Sequence, residues 1–407
     1  MKKIAIIGAG AAGMTAAYFA LQNGAQVTLF EKNKQVGRKI CITGKGRCNL
    51  TNNTDARTFL ENVVHGSKFL SSAIYRFSPQ DTMQWFETLG LSLKTERGNR
   101  VFPQSERASD VRDCLIRALY VYPNFSLVSH EVKAVEKDEE KFAVVTEKIQ
   151  LFDAVILATG GISYPLTGST GDGYLFARKN GHTVTPLTPS LIHVICRDSC
   201  CGMAQGLSLK NVRLSLFCRE NPKPIFSELG EMLFTDNGVS GPLVLSASCH
   251  IQENKEDYSF SIDFKPALNE EELDVRLLRD FSDNLNRTFK NSLDALLPAA
   301  MRPIFVSLSG IDPEKRVHQI TKEERRGLVR LFKSFTLSVV KKGPIEEAII
   351  TSGGVVCNEV NPRTMESKLC PGLYFAGEIL DVDAYTGGFN LQIAFSTGKS
   401  AGESASR

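Results

Sequence analysis

Three glycines and one carboxylate carry the first chemical reading of this chain. Gly8-Ala9-Gly10-Ala11-Ala12-Gly13 spells G-x-G-x-x-G, and Glu31 stands about twenty residues further on, the spacing of a dinucleotide-binding βαβ unit. The three glycines do different things. Gly8 permits a tight turn, Gly10 lets backbone approach a pyrophosphate, and Gly13 lets a helix sit close on a strand. The helix that opens at Ala11 and Ala12 presents unpaired N–H groups and a positive dipole end to the phosphates. Glu31 is placed to accept from a ribose 2′-hydroxyl. A carboxylate there favours an unphosphorylated ribose, so the ligand of this turn is FAD or NAD rather than NADP.

Further residues suit the same ligand. After Glu31, the stretch from Lys32 to Leu50 includes Gly37-Arg38-Lys39 and Gly44-Lys45-Gly46-Arg47-Cys48-Asn49. Its cations and glycine backbone are fitted to lie along a dinucleotide's phosphates. An apolar run, Ala154-Val155-Ile156-Leu157, ends in Ala158-Thr159-Gly160-Gly161, which presents backbone at the carboxyl edge of a parallel sheet. Near the C-terminus, Gly377-Glu378 follows another short apolar run, and Gly387-Gly388-Phe389-Asn390-Leu391 opens a last helix. The positive end of such a helix can stabilise negative charge on a reduced isoalloxazine.

Candidates for acid, base or redox work are fewer. Tyr385, just before the glycine pair, could donate its phenol to a carbonyl or enolate oxygen. Cys41 and Cys48 fall where a flavin-dependent disulfide reductase carries its redox pair, which gives a thiol/disulfide enzyme as one alternative. Six residues separate them, however, and the chain contains no C-x-x-C. Adjacent Cys200 and Cys201 are poor chelators, and no His/Cys/Asp grouping has metal-ligand spacing, so no metal is expected. His193, among apolar neighbours, reads as a structural histidine.

The elements that must position these residues are legible as texture. Lys3–Ile7 and Gln26–Phe30 read as strands flanking the glycine turn and its helix. Residues 55 to 120 read as mostly helical, with helices opening at Asp81 and Ala108 and a loop or hairpin over 96–103 between them. Residues 125 to 157 read as β, and Gly168–Gly173 leads into a further helix. Residues 191–266 read as a β-rich module and 267–341 as helices with charged faces, together an insertion. Residues 1–190 and 342–407 form the nucleotide-binding domain that it interrupts. The fold class is α/β, a discontinuous Rossmann-like FAD-binding domain with an inserted β-barrel-like and helical domain.

The totals agree with an ordinary globular protein: 407 residues, 42% apolar and 23% charged. A net charge of +3 without blocks of like charge gives no footprint for nucleic acid, so none is expected as a partner. No apolar run approaches the ~20 residues that would span a bilayer, and three glycines within the first apolar stretch argue against a secretory leader. Ten cysteines without regular spacing read as free thiols in a reducing compartment, which makes the cytoplasm the expected location.

The whole pattern resembles a known family. Gly8–Gly13, Gly46-Arg47-Cys48-Asn49, Phe102-Pro103, Ala158–Gly161, Gly171-Asp172-Gly173, Gly230–Thr235, Ser240-Gly241-Pro242, Thr364–Lys368, Gly377-Glu378 and Gly387–Asn390 are similar to the BaiN-like and aminoacetone-oxidase-like FAD-dependent oxidoreductases. The resemblance implies that Glu31 holds the adenosine ribose, that Arg38 and Lys39 lie near the phosphates, and that Val132 offers backbone to the adenine. It implies that Glu378, Asn390 and Leu391 line the ribityl and ring end, and that the insertion covers the flavin. It implies a small-molecule substrate. The activities it implies are NAD(P)H-dependent reduction of a carbon–carbon double bond conjugated to a ketone, as in 3-oxo bile-acid intermediates, or oxidation of aminoacetone by O2. With a single Rossmann fingerprint, NADH or NADPH would visit an open flavin face transiently.

Overall fold

The computed structural model describes residues 1–219, 221–252 and 257–407, which form two compact units: Met1–Ser190 with Pro344–Arg407, and Leu191–Gly343. At the centre of the first lies the strand β1 (Lys3–Ile7), whose Ile4, Ala5 and Ile6 are fully buried. A run buried on both faces suits the middle of a parallel sheet. The sheet has five strands in the order Leu373–Phe375, Ala154–Leu157, β1, β2 (Gln26–Phe30) and Phe125–Val128. Every neighbouring pair is parallel, so all five carboxyl ends lie along one edge.

Helix α1 (Ala11–Gln22) connects β1 to β2, and the last helix, Phe389–Ala405, packs on it. Small residues permit that approach. A Cβ added at Gly398 would stand 2.5 Å from the Ala12 carbonyl oxygen, and one at Gly402 would stand 2.2 Å from that of Ala16. Glycine at these two positions therefore fixes how closely the C-terminal segment lies on the fingerprint helix.

Between residues 55 and 120 the expected helices form at Ala56–Glu61, Ser67–Arg76, Pro79–Thr88 and Ala108–Tyr120, with a hairpin at Leu93–Glu96 and Arg100–Pro103. One element there was not anticipated. Val63–His65 is a short strand that pairs antiparallel with Asp383–Ala384, 318 residues away for the His65–Asp383 pair. The β-branched pair Val63-Val64 before Gly66 is its local signal, but nothing in sequence names so distant a partner.

A buried histidine holds the C-terminal segment of this unit. His182 Nδ1–H donates to Glu359 at 3.1 Å, while Ser367 Oγ, 2.7 Å from Nε2, accepts from the N–H groups of Leu369 and Cys370. Ser367 therefore gives its own proton to Nε2, and the ring is neutral. Burial disfavours the cation and lowers the His182 pKa, against the pull of Glu359. With a folded pKa below the unfolded one, the ring's contribution to stability is fully present above about pH 6.5 and is lost as pH falls toward the native value. The melting temperature is accordingly expected to fall between pH 7.5 and 5.5, and His182→Gln to flatten that fall. An equally steep fall in the variant would assign the pH dependence elsewhere.

The second unit contains a closed antiparallel barrel of six strands: Val194–Cys196, Gly238–Ser240, Asn221–Phe234, Ser208–Cys218, Tyr258–Asp263 and Phe335–Lys342. Helices Glu270–Ser282, Met301–Leu308 and Lys322–Lys333 accompany it. Phe335–Lys342 falls almost wholly in the stretch 267–341 read as helical from its charged faces and Leu/Phe stripes. It is the strand that closes the barrel, pairing with Tyr258–Asp263 on one side and Val194–Cys196 on the other. Buried Phe335 and Leu337 alternate along it, and Phe335 stacks on Phe305 at 5.5 Å. Among the described residues no helix is long and apolar enough to cross a membrane, and no cluster of side chains could hold a metal ion.

Candidate functional site

The carboxyl edge of the parallel sheet gathers residues far apart in sequence. Gly8 follows β1, Glu31 follows β2, Ala158-Thr159-Gly160 follow Ala154–Leu157, and Gly377-Glu378 lie just beyond Leu373–Phe375. The sheet's ladders extend one residue into each turn: Gly8 N–H donates to Phe30, Glu31 to Val128, Ala158 to Ile7 and Ala376 to Leu157, at 2.8–3.0 Å. Gly37 N–H donates to the Ala9 carbonyl at 2.9 Å, which brings the short helix Arg38–Ile42 up to the glycine turn.

Within the fingerprint the three glycines separate by role. A Cβ at Gly8 would stand 2.5 Å from the Ala158 carbonyl oxygen, on backbone with φ of +103°, and one at Gly13 would stand 1.9 Å from the Gly8 oxygen. Both are glycine for the protein's own packing. A Cβ at Gly10 meets nothing within 4 Å. Gly10 is also the N-cap of α1, and no side chain caps that helix end. The space and the uncapped N–H groups are those a bound pyrophosphate would use.

The Glu31 carboxylate accepts from Ala9 N–H at 3.1 Å on Oε2, and from the backbone and side chain of Asn33 at 2.9 and 2.7 Å on Oε1. Oε2, with a single donor, keeps acceptor capacity for a ribose hydroxyl. Asn33 in turn accepts from Arg38 at 2.9 Å. Lys32 is bound to Thr170 and Asp172, at the start of the helix Asp172–Lys179.

Three residues expected at the cofactor make their contacts with protein groups here. Lys39 donates to Ser163 at 2.7 Å and to both oxygens of Glu378 at 3.1 and 2.8 Å. Glu378 also accepts from Ser163 at 3.0 Å and from Thr351 N–H at 2.8 Å, so its carboxylate is committed to an internal network. Asn390 turns its amide onto Ala384, accepting from its N–H at 3.0 Å and donating to its carbonyl at 2.7 Å. Neither Ser163 nor Thr351 belongs to a motif that sequence reading would select. Leu391 lies partly buried in the first turn of the last helix. Tyr385 is likewise partly buried against the core, its N–H donating to Asn62 at 3.0 Å.

The Gly46–Asn49 loop is unusual backbone. Gly44, Lys45, Gly46 and Cys48 all have left-handed φ, between +57° and +82°. The two non-glycine residues cost of order 1–3 kcal/mol each, and such strain persists where surroundings over-determine it, often at ligand clamps. The Arg47 guanidinium lies 4.3 Å over the Phe102 ring and binds Glu96 and Glu106, which explains why Phe102 belongs with this loop. The following Thr51 carbonyl would be 2.4 Å from a Cβ on Gly388, so the loop's exit abuts the opening of the last helix. Gly388 caps that helix without a side-chain hydrogen bond.

Several buried polar atoms in these segments have no partner among the described residues: Arg47 Nε, Asn49 Oδ1 and Thr159 Oγ1. Val132, buried just ahead of the strand Ala134–Asp138, shows no backbone hydrogen bond among them either. Unsatisfied buried polar groups are few in native proteins, and each calls for an explanation. Three of these four residues are ones that the sequence itself assigns to the cofactor, and Val132 is one that the family resemblance assigns. Together with the open Gly10 and two uncapped helix ends, they fit FAD.

The structure gives the thiols little support as a redox pair. None of the ten cysteines is joined in a disulfide, and burial pushes the Cys48 thiol up to about 12, far from a thiolate at neutral pH. Cys41 instead accepts from Arg112 at 3.6 Å. A Cys41→Ser variant is expected to keep its flavin turnover within about twofold, because a dithiol mechanism would need both sulfurs. Loss of turnover in that variant would restore the disulfide reading.

Fold and site together define a Rossmann-type flavoprotein oxidoreductase that binds FAD. The chain belongs to the family described as HI0933-like protein Rossmann domain, which matches residues 2–404. It is 33% identical to the 3-dehydro-bile acid delta(4,6)-reductase of Clostridium scindens, over 100% of this chain and 99% of that one. It is 31% identical to the ribosomal RNA dihydrouridine synthase of Escherichia coli, over 96% and 95% of the two chains. Among solved structures, the 3-ketosteroid-delta4-(5alpha)-dehydrogenase of Rhodococcus jostii superposes with a TM-score of 0.55 at 14% identity, covering 100% of this chain and 97% of that one. This last likeness speaks for the fold.

Proposed function

We propose that this enzyme reduces a carbon–carbon double bond conjugated to a carbonyl, taking electrons from NADH or NADPH through FAD. The observation that carries the reading is what the reductase and the dihydrouridine synthase among its relatives share. A 3-dehydro-bile acid delta(4,6)-reductase saturates bonds conjugated to a 3-oxo group, and a dihydrouridine synthase saturates the uracil bond conjugated to its 4-carbonyl. The substrates differ, but the bond change is the same.

When bound, reduced FAD supplies the hydride that adds to the carbon β to the carbonyl. The chain's own part is to bind and orient. Glu31 fixes the ribose, and the open turn at Gly10 takes the pyrophosphate. The uncapped end of the last helix favours negative charge beside the ring. Tyr385, just ahead of that end in sequence, is the residue that would orient a substrate carbonyl. The small-molecule reading is a 4-en-3-one of bile-acid type. Net charge argues against RNA, yet the dihydrouridine synthase is named for acting on it, so an RNA arm belongs in the assay.

The test is an absorption spectrum followed by anaerobic titration with NADH and then NADPH. Bleaching by either nucleotide and recovery of colour on adding a steroid 4-en-3-one, or an rRNA fragment containing uridine, is the expected result. Bleaching only by a small amine, with O2 restoring colour, would replace this reading with an amine oxidase. A protein that takes up no FAD would overturn it outright.

A further inference from the structure

The reduction needs a proton as well as a hydride, and the fold places an acid where none was expected. The antiparallel pairing of Val63–His65 with Asp383–Ala384 sets His65 directly opposite Asp383. His65 Nδ1 contacts one Asp383 oxygen, and Ser190 Oγ donates to the other at 2.6 Å. The Asp383 side chain is fully buried, while that of His65 keeps 50% of its exposure. A buried carboxylate stays ionised only if partnered, so Asp383 accepts from both its neighbours and the ring's Nδ1 carries a proton. Asp381, two residues back, has its pKa raised by burial and by the neighbouring Asp383, against the pull of Thr185 and of the charge of His65.

Its position ties this pair to the chemistry. Asp383–Ala384 runs directly into Tyr385, Gly387 and Gly388, and the Asn390 amide clamps Ala384 from the first turn of the last helix. Phe59, on the helix preceding the strand of His65, packs against Phe389 with ring centroids 5.2 Å apart. The imidazole is therefore held at the same end of the last helix that the glycine pair leaves uncapped. A histidine kept only to pin a two-residue ladder has no need of a buried carboxylate with a second hydrogen-bond donor.

We propose that His65 is the acid that protonates the substrate in this reduction and that Asp383 is its positioning residue, an inference that rests on the double-bond reductase reading above. In the step, the β-carbon takes the hydride and the flavin is oxidised by two electrons. The α-carbon takes the proton from Nε2–H of the imidazolium. The neutral ring keeps its Nδ1–H on Asp383 and is reprotonated from solvent across its exposed face.

The test uses the full chain loaded with FAD and photoreduced without O2, which removes the nicotinamide donor from the question. It is mixed with a steroid 4-en-3-one and, in a parallel arm, with uridine-containing rRNA. His65→Gln is expected to hold FAD and to reoxidise about 10²–10⁴-fold more slowly than wild type, the usual share of a general acid. The wild-type rate is expected to show a solvent deuterium isotope effect that the variant lacks. In the absence of substrate, a downfield Nδ1 proton resonance from ¹⁵N-histidine-labelled protein is expected to vanish in Asp383→Asn and in His65→Gln. If Asp383→Asn does not fold, His65→Gln carries the test, since its side chain is half in water. Reoxidation of His65→Gln at the wild-type rate would overturn the proposal and leave the reductase reading standing. A wild-type flavin reoxidised by neither substrate would overturn both.

Discussion

A Gly10→Val chain is expected to fold with the wild-type melting temperature and to purify without yellow colour, its affinity for FAD down at least about 100-fold, or ~2.8 kcal/mol. The two halves of that expectation have different grounds. Gly10 has φ of −86° and ψ of −167°, an extended conformation open to any residue, and its added Cβ meets nothing within 4 Å. The fold itself therefore does not require glycine there. What requires it is a ligand whose phosphates must come up to the backbone N–H groups at the start of α1, and a branched side chain stands in that approach. Gly8→Val and Gly13→Val are the contrast, since their Cβ atoms would lie 2.5 and 1.9 Å from carbonyl oxygens and would disrupt the turn itself. A thermal melt of the FAD-free protein with a fluorescence titration separates the cases. Wild-type FAD affinity in Gly10→Val would show that this turn is not the cofactor's cradle.

That contrast also shows how far the sequence could be read. Gly8, Gly10, Gly13 and Glu31 were legible because their roles are local: a turn, an approach, a close contact and a carboxylate at the end of the next strand. The strands Ala154–Leu157 and Leu373–Phe375 were legible because burial on both faces leaves an unbroken apolar run. Residues whose partners are distant were not. His65 has no sequence signal of its own until Asp383 is found across the ladder, and the link between Lys39 and Glu378, 339 residues apart, is equally invisible in the sequence. Phe335–Lys342 ends in Val339-Val340-Lys341-Lys342, and its charged residues match a helix face as well as a barrel strand's outer face. Only its pairing with two other strands decides between them. In each case the missing information was a long-range contact, and neither periodicity nor residue type records one.

Glu378→Leu is expected to destabilise the FAD-free protein by about 3 kcal/mol, and the double variant Lys39→Met/Glu378→Leu to recover a large part of that loss. The Glu378 side chain keeps 14% of its exposure and that of Lys39 keeps 24%, so the pair is mostly but not wholly withdrawn from water. Removing the carboxylate leaves the Lys39 cation with only the Ser163 hydroxyl to accept from it, and leaves the Ser163 hydroxyl and the Thr351 N–H without their acceptor in a confined space. Partial access of water to Lys39 keeps the cost at the low end of that for a broken buried pair. Replacing both charges by apolar side chains removes the stranded cation and leaves only the two neutral donors to be satisfied. Urea denaturation of the two single variants and the double gives the coupling directly, and additive losses would mean that the pair contributes nothing as a pair. The expected coupling has a structural reason: this one carboxylate joins Lys39 beyond the fingerprint, Ser163 beyond the strand Ala154–Leu157, and Thr351 at the return from the second unit. A chain interrupted by 153 residues needs some contact of this kind to close its cofactor site from pieces far apart in sequence.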